Sequence, residues 1–384
     1  MRLGFDIRPF LSRETGVGIY LRNLLLELAR LDGDNEYYLF SASWKERFPE
    51  SRIPPLAKVR FVDRRLPVRW VNRAWQRWGF PSFDRLVGAR MDLVHSATPL
   101  VLPTAGRKVI TVHDLFFLDQ PARAGREAGR VFYRRTAGSI ARSDGIVTFS
   151  AYVRDQLADR FGVPPAKVRI IPHGVDPRFL EEAPAESLES FRRASRLPGA
   201  FLLFVGAQEP RKNLPRLVEA LKILHLHGDR IPLVLAGPPG GDTATVKAAA
   251  ARLGLGPSLI MTGYLDALDL PKLYRLATAL VFPSVNEGFG LPLLEAMASG
   301  LPVVAARNSA IPEVAGEAAV YFPTDDVEAM AGKIRQVLED RGLRSELTAR
   351  GRQRVRRFSW EASAAETLKF YRETAAGGGA KDRP

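Results

Sequence analysis

Short apolar runs alternate with longer segments of helical period along the chain, and this alternation constrains the fold more than any other feature. Runs at 3–7, 109–112, 145–149, 168–171, 201–205, 233–236, 279–282 and 302–305 are too short for stable helices and read as buried strands. Between them, segments 19–31, 130–142, 152–161, 214–226, 269–277 and 292–299 carry apolar residues at helical spacing. Strands followed by helices predict βαβ units, hence an α/β fold built on doubly wound parallel sheets. One such sheet with its helices takes about 150–200 residues, so a chain of 384 predicts two. The stretch 180–198 is rich in Glu, Ala, Ser and Pro and has no strand signal. It places a first domain at 1–182, a linker at 183–198 and a second domain at 199–357. A further helix is expected over 358–376, then a polar, Gly-rich tail over 377–384 that is expected to be disordered.

Composition removes several chemistries. The chain has no cysteine, which excludes disulfides, thiolate metal sites and cysteine nucleophiles. Its five histidines, at 95, 113, 173, 225 and 227, are too few and too scattered to predict a metal site built on imidazoles. The net charge is +14, concentrated in residues 1–182 with 30 Lys/Arg against 20 Asp/Glu. A basic half implies an anionic partner: nucleic acid, a membrane surface or a phosphorylated substrate. Arginine also accumulates in GC-rich genomes without any binding role. Asp6 and Arg8 interrupt the N-terminal apolar run, so no secretory signal is read there. No uncharged stretch reaches the length of a membrane span. A cytoplasmic protein is expected, with any membrane contact peripheral.

The segment 281–300 joins a strand, a glycine loop and a helix. Its centre reads Glu287-Gly-Phe-Gly-Leu-Pro-Leu-Leu-Glu295. Gly288 and Gly290 permit close backbone approach, and Pro292 suits a first helical turn. Such a helix start offers N–H groups and a positive dipole end to a phosphate. Two carboxylates beside an anion site repel the anion unless each has another task, such as accepting hydrogen bonds from sugar hydroxyls. The alternative is a surface loop with two solvated glutamates.

The pair Glu287 and Glu295 around Gly-Phe-Gly-Leu-Pro resembles the paired-glutamate signature of retaining glycosyltransferases of family 4. These have the GT-B fold, two Rossmann-like domains facing a cleft. The likeness continues at 302–316, at Ile171-Pro-His-Gly-Val-Asp176, at Thr111-Val-His-Asp-Leu115 and at Gly16-Val-Gly18. The resemblance implies a nucleotide-diphospho-sugar donor held mainly by the second domain, as co-substrate with no resident cofactor and no metal. Glu287 would contact donor-sugar hydroxyls and Glu295 the ribose, while Gly288, Phe289, Gly290 and Leu291 hold diphosphate or sugar. The C-terminal helix is expected to cross back to the first domain.

Arg211 and Lys212 follow the strand at 201–205, with Asn213 expected to cap the next helix. Two cations at a helix start oppose its dipole and need a reason. Stabilising a leaving diphosphate is one. Many family members carry an arginine directly after the strand glycine, where this chain has Ala207. The resemblance assigns the missing guanidinium to Arg211. Gly16 and Gly18 either cradle a phosphate or simply make a tight strand–helix turn. His113 ends a strand; the resemblance implies contact with the donor sugar near the reacting carbon, whereas His173 reads as structural.

Residues 64–80 hold three of the five tryptophans among arginines. Arg69, Arg73 and Arg77 form one helical stripe, with Val71, Ala74, Trp75 and Trp78 on another. This is either an interfacial helix for anionic lipid or an amphipathic helix with its tryptophans in the core.

Together these features predict a metal-independent retaining hexosyltransferase acting on a glycan or lipid-linked acceptor in surface-polysaccharide or glycolipid assembly. GDP-mannose is the first choice of donor and a UDP-sugar the alternative. A nucleic-acid-binding protein is the competitor from another class, but no RNA-recognition motif accompanies the charge.

Overall fold

In the first half of the chain, β1 (Arg2–Asp6), α1 (Gly16–Leu31), β2 (Glu36–Ala42), β3 (Val59–Arg64), α2 (Val68–Trp78), α3 (Phe83–Val87) and β4 (Leu93–Ser96) follow one another. Next come β5 (Arg107–Thr111), α4 (Arg126–Arg142), β6 (Gly145–Thr148), α5 (Ala151–Phe161) and β7 (Val168–Ile170). The second half runs α6 (Ala185–Ala194), β8 (Leu202–Val205), α7 (Leu214–Leu226), β9 (Leu233–Ala236), α8 (Thr243–Arg252), β10 (Leu259–Gly263), α9 (Leu270–Leu276) and β11 (Ala279–Phe282). It continues through α10 (Leu291–Ala298), β12 (Val303–Ala306), α11 (Ile311–Ala315), β13 (Ala319–Phe322), α12 (Val327–Glu339), α13 (Arg341–Val355) and α14 (Trp360–Ala376). The computed structural model describes residues 1–10, 16–44, 47–49, 52–118 and 126–377, and all their side chains except those of 76 and 126–132. Residues 378–384 of the expected disordered tail lie outside the described residues.

Two all-parallel sheets result, ordered β3-β2-β1-β4-β5-β6-β7 and β10-β9-β8-β11-β12-β13. In both, the chain winds outward in one direction, returns to the middle and winds out in the other. The reversal falls between β1 and β4 in the first sheet and between β8 and β11 in the second. Loops leaving the carboxyl ends of strands at such a reversal diverge and leave a crevice, the usual ligand position in this architecture. The central strands β4, β6, β9, β11 and β12 are buried throughout, because helices cover both faces.

The chain divides into two compact units, residues 1–174 with 359–384, and residues 175–358. The C-terminal segment returns to the first unit, where α14 packs on α1. Tyr371 Oη lies 2.5 Å from His95 Nδ1, and His95 Nε2 lies 2.7 Å from Thr111 Oγ1. The chain passes so close that a Cβ on Gly174 would sit 2.1 Å from the Trp360 nitrogen.

Two expectations need correction. The first unit gives way to the second at 174/175 and not at 182, and the stretch 183–198, read as the linker, contains the helix Ala185–Ala194 within the second unit. Glu189 pairs with Arg192 and Arg193 along it, and Phe191 is buried beneath the Lys272 ammonium, 5.6 Å from the ring centroid. Glu and Ala are good helix formers, and this short helix needs only one anchoring aromatic. Residues 64–80 divide between the two readings offered for them. Val71 and Trp75 enter the core of the first unit, with Trp75 only 6% exposed, whereas Trp70 is 75% and Trp78 71% exposed. Trp78 therefore leaves the apolar face assigned to it.

Candidate active site

At the carboxyl end of β8 the chain turns at Gly206, with φ +147°, and passes through a 3-10 turn, Pro210–Lys212. Asn213 then adopts a left-handed conformation, φ +58°, before α7. Its side chain does not cap that helix as expected; it donates to the Thr324 carbonyl at 3.2 Å. With φ positive, Asn213 cannot take the extended backbone of an ordinary N-cap.

On the other side of the strand-order reversal, the loop after β11 carries Glu287. The two loops are tied directly, the Val285 N–H donating to the Arg211 carbonyl at 2.8 Å. Lys212 Nζ donates to Glu287 Oε1 at 2.5 Å and Arg211 Nη1 to Oε2 at 2.7 Å, while Arg211 Nε reaches Glu209 at 3.0 Å. Lys212 and Glu287 are both buried. Burial alone would raise the Glu287 carboxyl, but the Lys212 ammonium and Arg211 guanidinium overcome it and hold the group at about 2. Burial pulls Lys212 below its usual value, against the attraction of Glu287. The pair resolves the dipole problem at the start of α7: the carboxylate neutralises the cations that the helix disfavours.

Glu287 is itself held from behind. Its N–H donates to Ser309 Oγ at 3.0 Å, and that hydroxyl donates to Asn308 Oδ1 at 2.7 Å. Asn308 Nδ2 in turn reaches the Ser284 carbonyl at 2.9 Å. Asn308 and Ser309 lie within the family-like segment 302–316, and the sequence alone gives them no role. Their signal was only a pair of small polar residues just past a buried strand.

The second carboxylate has a different environment. Glu295 lies in α10, one turn past Leu291, and accepts from Tyr274 Oη at 2.7 Å. Burial raises its carboxyl to about 7, against the Tyr274 hydrogen bond and with help from Asp176. Glu287 therefore stays ionised while Glu295 titrates near neutrality. Between them Gly290, with φ +104°, makes the turn into α10, and Phe289 packs edge-on against Phe358. In the first turn of α10, Pro292 has no N–H to satisfy and the Leu293 N–H donates to the Gly290 carbonyl at 3.0 Å.

One glycine that sequence reasoning passed over shapes the same crevice. Gly237 after β9 has φ +139°, and a Cβ there would lie 2.2 Å from the Gly206 carbonyl oxygen. The loops after β8 and β9 thus run backbone against backbone.

The remaining expected residues belong to the first unit. Gly16 and Gly18 lie inside the first turn of α1, which begins at Gly16. Among the described residues, a Cβ on Gly16 would meet nothing within 4 Å. His113 follows β5, and its Nε2 lies 2.9 Å from the Ala97 carbonyl oxygen, so that nitrogen carries the proton. Burial lowers its pKa, opposed by the hydrogen bond to the Ala97 carbonyl and by Asp114. Tyr20, Phe149 and His173 surround it. The structure thus brings Arg211, Lys212 and Glu287 into one cluster, with Gly288, Phe289, Gly290, Leu291 and Glu295 along the following loop and helix.

Two parallel α/β units, with a buried cation–carboxylate cluster at the strand-order reversal of the second, define the GT-B class of glycosyltransferase. The model of the glycosyl transferases group 1 matches residues 187–354, and that of Glycosyltransferase Family 4 matches residues 15–179. The chain is 28% identical over 386 residues to the O-antigen chain mannosyltransferase B of Escherichia coli, covering 97% of this chain and 100% of that protein. It is 32% identical over 265 residues to the serotype-specific mannosyltransferase WbdA of Escherichia coli, covering 67% of this chain and only 32% of that one. Among solved structures, a sucrose-phosphate synthase from Thermosynechococcus elongatus superposes with a TM-score of 0.75 at 21% identity, covering 98% of this chain and 100% of that one. The chain belongs to the family 4 glycosyltransferases.

Proposed function

We propose that the protein is a retaining mannosyltransferase that moves mannose from GDP-mannose to a hydroxyl of a glycan or lipid-linked saccharide in surface-polysaccharide assembly. The observation that carries this reading is the Arg211–Lys212–Glu287 cluster at the strand-order reversal of the second unit. The choice of mannose and of polysaccharide rests on similarity to two mannosyltransferases, one of them an O-antigen chain enzyme. In the transfer, the bond between the anomeric carbon and the diphosphate oxygen breaks, and the acceptor oxygen bonds to that carbon on the same face. The departing diphosphate takes the acceptor proton. Negative charge grows on the diphosphate, and Lys212 and Arg211 are the cations proposed to meet it. Side-chain cations fill this role, so the reaction is proposed to run without a metal ion, and undiminished turnover in EDTA tests that.

Glu287 then has two tasks: holding both cations in place, and offering its remaining lone pairs to donor-sugar hydroxyls. Glu295 is assigned to the ribose, the α10 start with Gly288 to Leu291 to the diphosphate or sugar, and Gly16, Gly18 and His113 to the donor. At the membrane, exposed Trp70 and Trp78 among Arg69, Arg73 and Arg77 support peripheral binding through α2 at the cytoplasmic face. The test is a thermal-shift screen of nucleotide sugars followed by anomer analysis of the product. Stabilisation by GDP-mannose and an α-linked product are expected. No stabilisation by any nucleotide sugar, or an inverted linkage, overturns the reading.

A further inference from the structure

In the first unit, helix ends and loops around the amino end of β5, the end opposite His113, line an open hollow of about 770 Å³. Lys108 is the second residue of β5, Arg90 precedes β4 and Arg142 closes α4; with Arg85 of α3 they put four cations on its wall. The one acid there, Asp84, is spent on backbone: its Oδ1 accepts the Met91 N–H at 2.8 Å and its Oδ2 the Ala105 N–H at 3.2 Å. None of the four cations meets a carboxylate among the described residues. Arg85 lies over the Phe80 ring at 5.2 Å, Arg142 Nε donates to the Gly138 carbonyl at 3.0 Å, and Lys108 Nζ to that of Gly106 at 3.5 Å. Arg107 alongside is paired with Asp144 at 2.9 Å, so acids are at hand but directed elsewhere.

The cavity's other wall is Trp75 of α2, and Gly79, which ends that helix, stands at its edge. The exposed aromatics Trp78 and Phe80 flank Gly79 in the chain. Like charges gathered in a hollow with an aromatic wall repel one another and call for an anion. A dissolved anion would leave the exposure of Trp78 unexplained. A phosphate held at the level of a bilayer headgroup explains both features, because aromatic rings settle at that depth.

We propose that this cavity seats the phosphate of an anionic lipid headgroup, with Trp78 and Phe80 entering the interface beside it. The proposal rests on the reading of α2 as a membrane-facing helix. It adds to that reading a specific seat formed by residues outside α2.

The test is flotation of the full chain on vesicles of equal phosphatidylglycerol and phosphatidylcholine, against phosphatidylcholine alone. Arg90→Glu/Arg142→Glu is expected to weaken binding to the anionic vesicles roughly tenfold or more. Lys247→Glu/Lys369→Glu, the same charge change at exposed sites elsewhere, is expected to change it less than about twofold. Circular dichroism and transfer to a water-soluble acceptor confirm that each variant is folded. Equal losses in the two double variants overturn the seat, since overall charge would then explain the binding. If Trp70→Ser/Trp78→Ser abolishes flotation while the cavity variant floats like the parent, the seat fails and the α2 reading stands. If the unaltered protein prefers neither vesicle, both fail, whereas the transferase reading is judged separately by turnover. Stabilisation by inorganic phosphate that disappears in the cavity variant, without vesicle binding, also overturns the proposal in favour of a dissolved ligand.

Discussion

The two units share one winding order, yet the loops at their strand-order reversals carry opposite chemistry. In the second unit the loops after β8 and β11 bring together two cations and a carboxylate that polarise one another. In the first, the loop after β4 meets, through its Ala97 carbonyl, the imidazole of His113 from the end of the neighbouring β5, which sits among Tyr20, Phe149 and His173. The backbone path therefore determines only where a ligand can sit. Which ligand it suits is decided by a handful of loop side chains, and those are free to differ because they bear little of the core.

The comparison is most exposed to failure at Lys212. Lys212→Ala removes a cation aimed at the leaving group and leaves Glu287 buried with Arg211 alone. Turnover is expected to fall by about 100-fold to 1,000-fold, an effect of ~3–4 kcal/mol on the barrier. Unchanged turnover measured on folded protein would remove the charged cluster from the mechanism. Gly237→Ala tests backbone rather than charge. Its Cβ has no room against Gly206 and the φ of +139° is nearly confined to glycine, so unfolding experiments should show a loss of about 2–3 kcal/mol.

Acidity separates the two glutamates. Glu287, held at about 2 against an ordinary 4.5, binds its proton less tightly when folded, so it contributes stability above pH 4.5 that disappears as pH falls toward 2. Glu295, raised to about 7, behaves oppositely: its contribution is complete below pH 4.5 and is lost as pH rises through 7. Denaturant titrations across pH should show Glu287→Gln flattening the acid limb and Glu295→Gln the limb between 4.5 and 7. If Glu295 accepts from the ribose, the donor KM of the parent should fall as pH rises through 7, and that of Glu295→Gln should stay level.

The smallest effect is expected in the first unit. The Cβ of Gly16→Ala meets none of the described residues at this helix start, so a gain of up to ~1 kcal/mol should appear in the melting temperature. The assignment of Gly16 to the donor adds a higher donor KM, and an unchanged KM removes Gly16 from that set.

Local pattern was enough wherever a segment's own neighbours decide its state. The runs at 233–236 and 279–282 emerge as β9 and β11 with those bounds, since consecutive apolar residues have no alternative to a buried strand there. The helix at 185–194 is not legible in the sequence, because a single buried side chain, Phe191, makes no periodic stripe. At 64–80 periodicity identified the helix but misjudged Trp78, because the direction a helix faces depends on what packs against it. The site divides in the same way. Glu287, Glu295, Arg211 and Lys212 stand out as residue types in unusual places, whereas the support from Asn308 and Ser309 does not.

By itself the sequence determined the alternating parallel architecture, the glycine turn into α10 and the presence of charge where a helix dipole opposes it, since all of these follow from spacing along the chain. Only the tertiary structure decided that Lys212 and Glu287, 75 residues apart, meet at 2.5 Å, and that two similar glutamates titrate on opposite sides of the ordinary value. The physical reason is that burial and Coulomb interaction depend on distance through space, and the strand order, not the chain order, sets that distance.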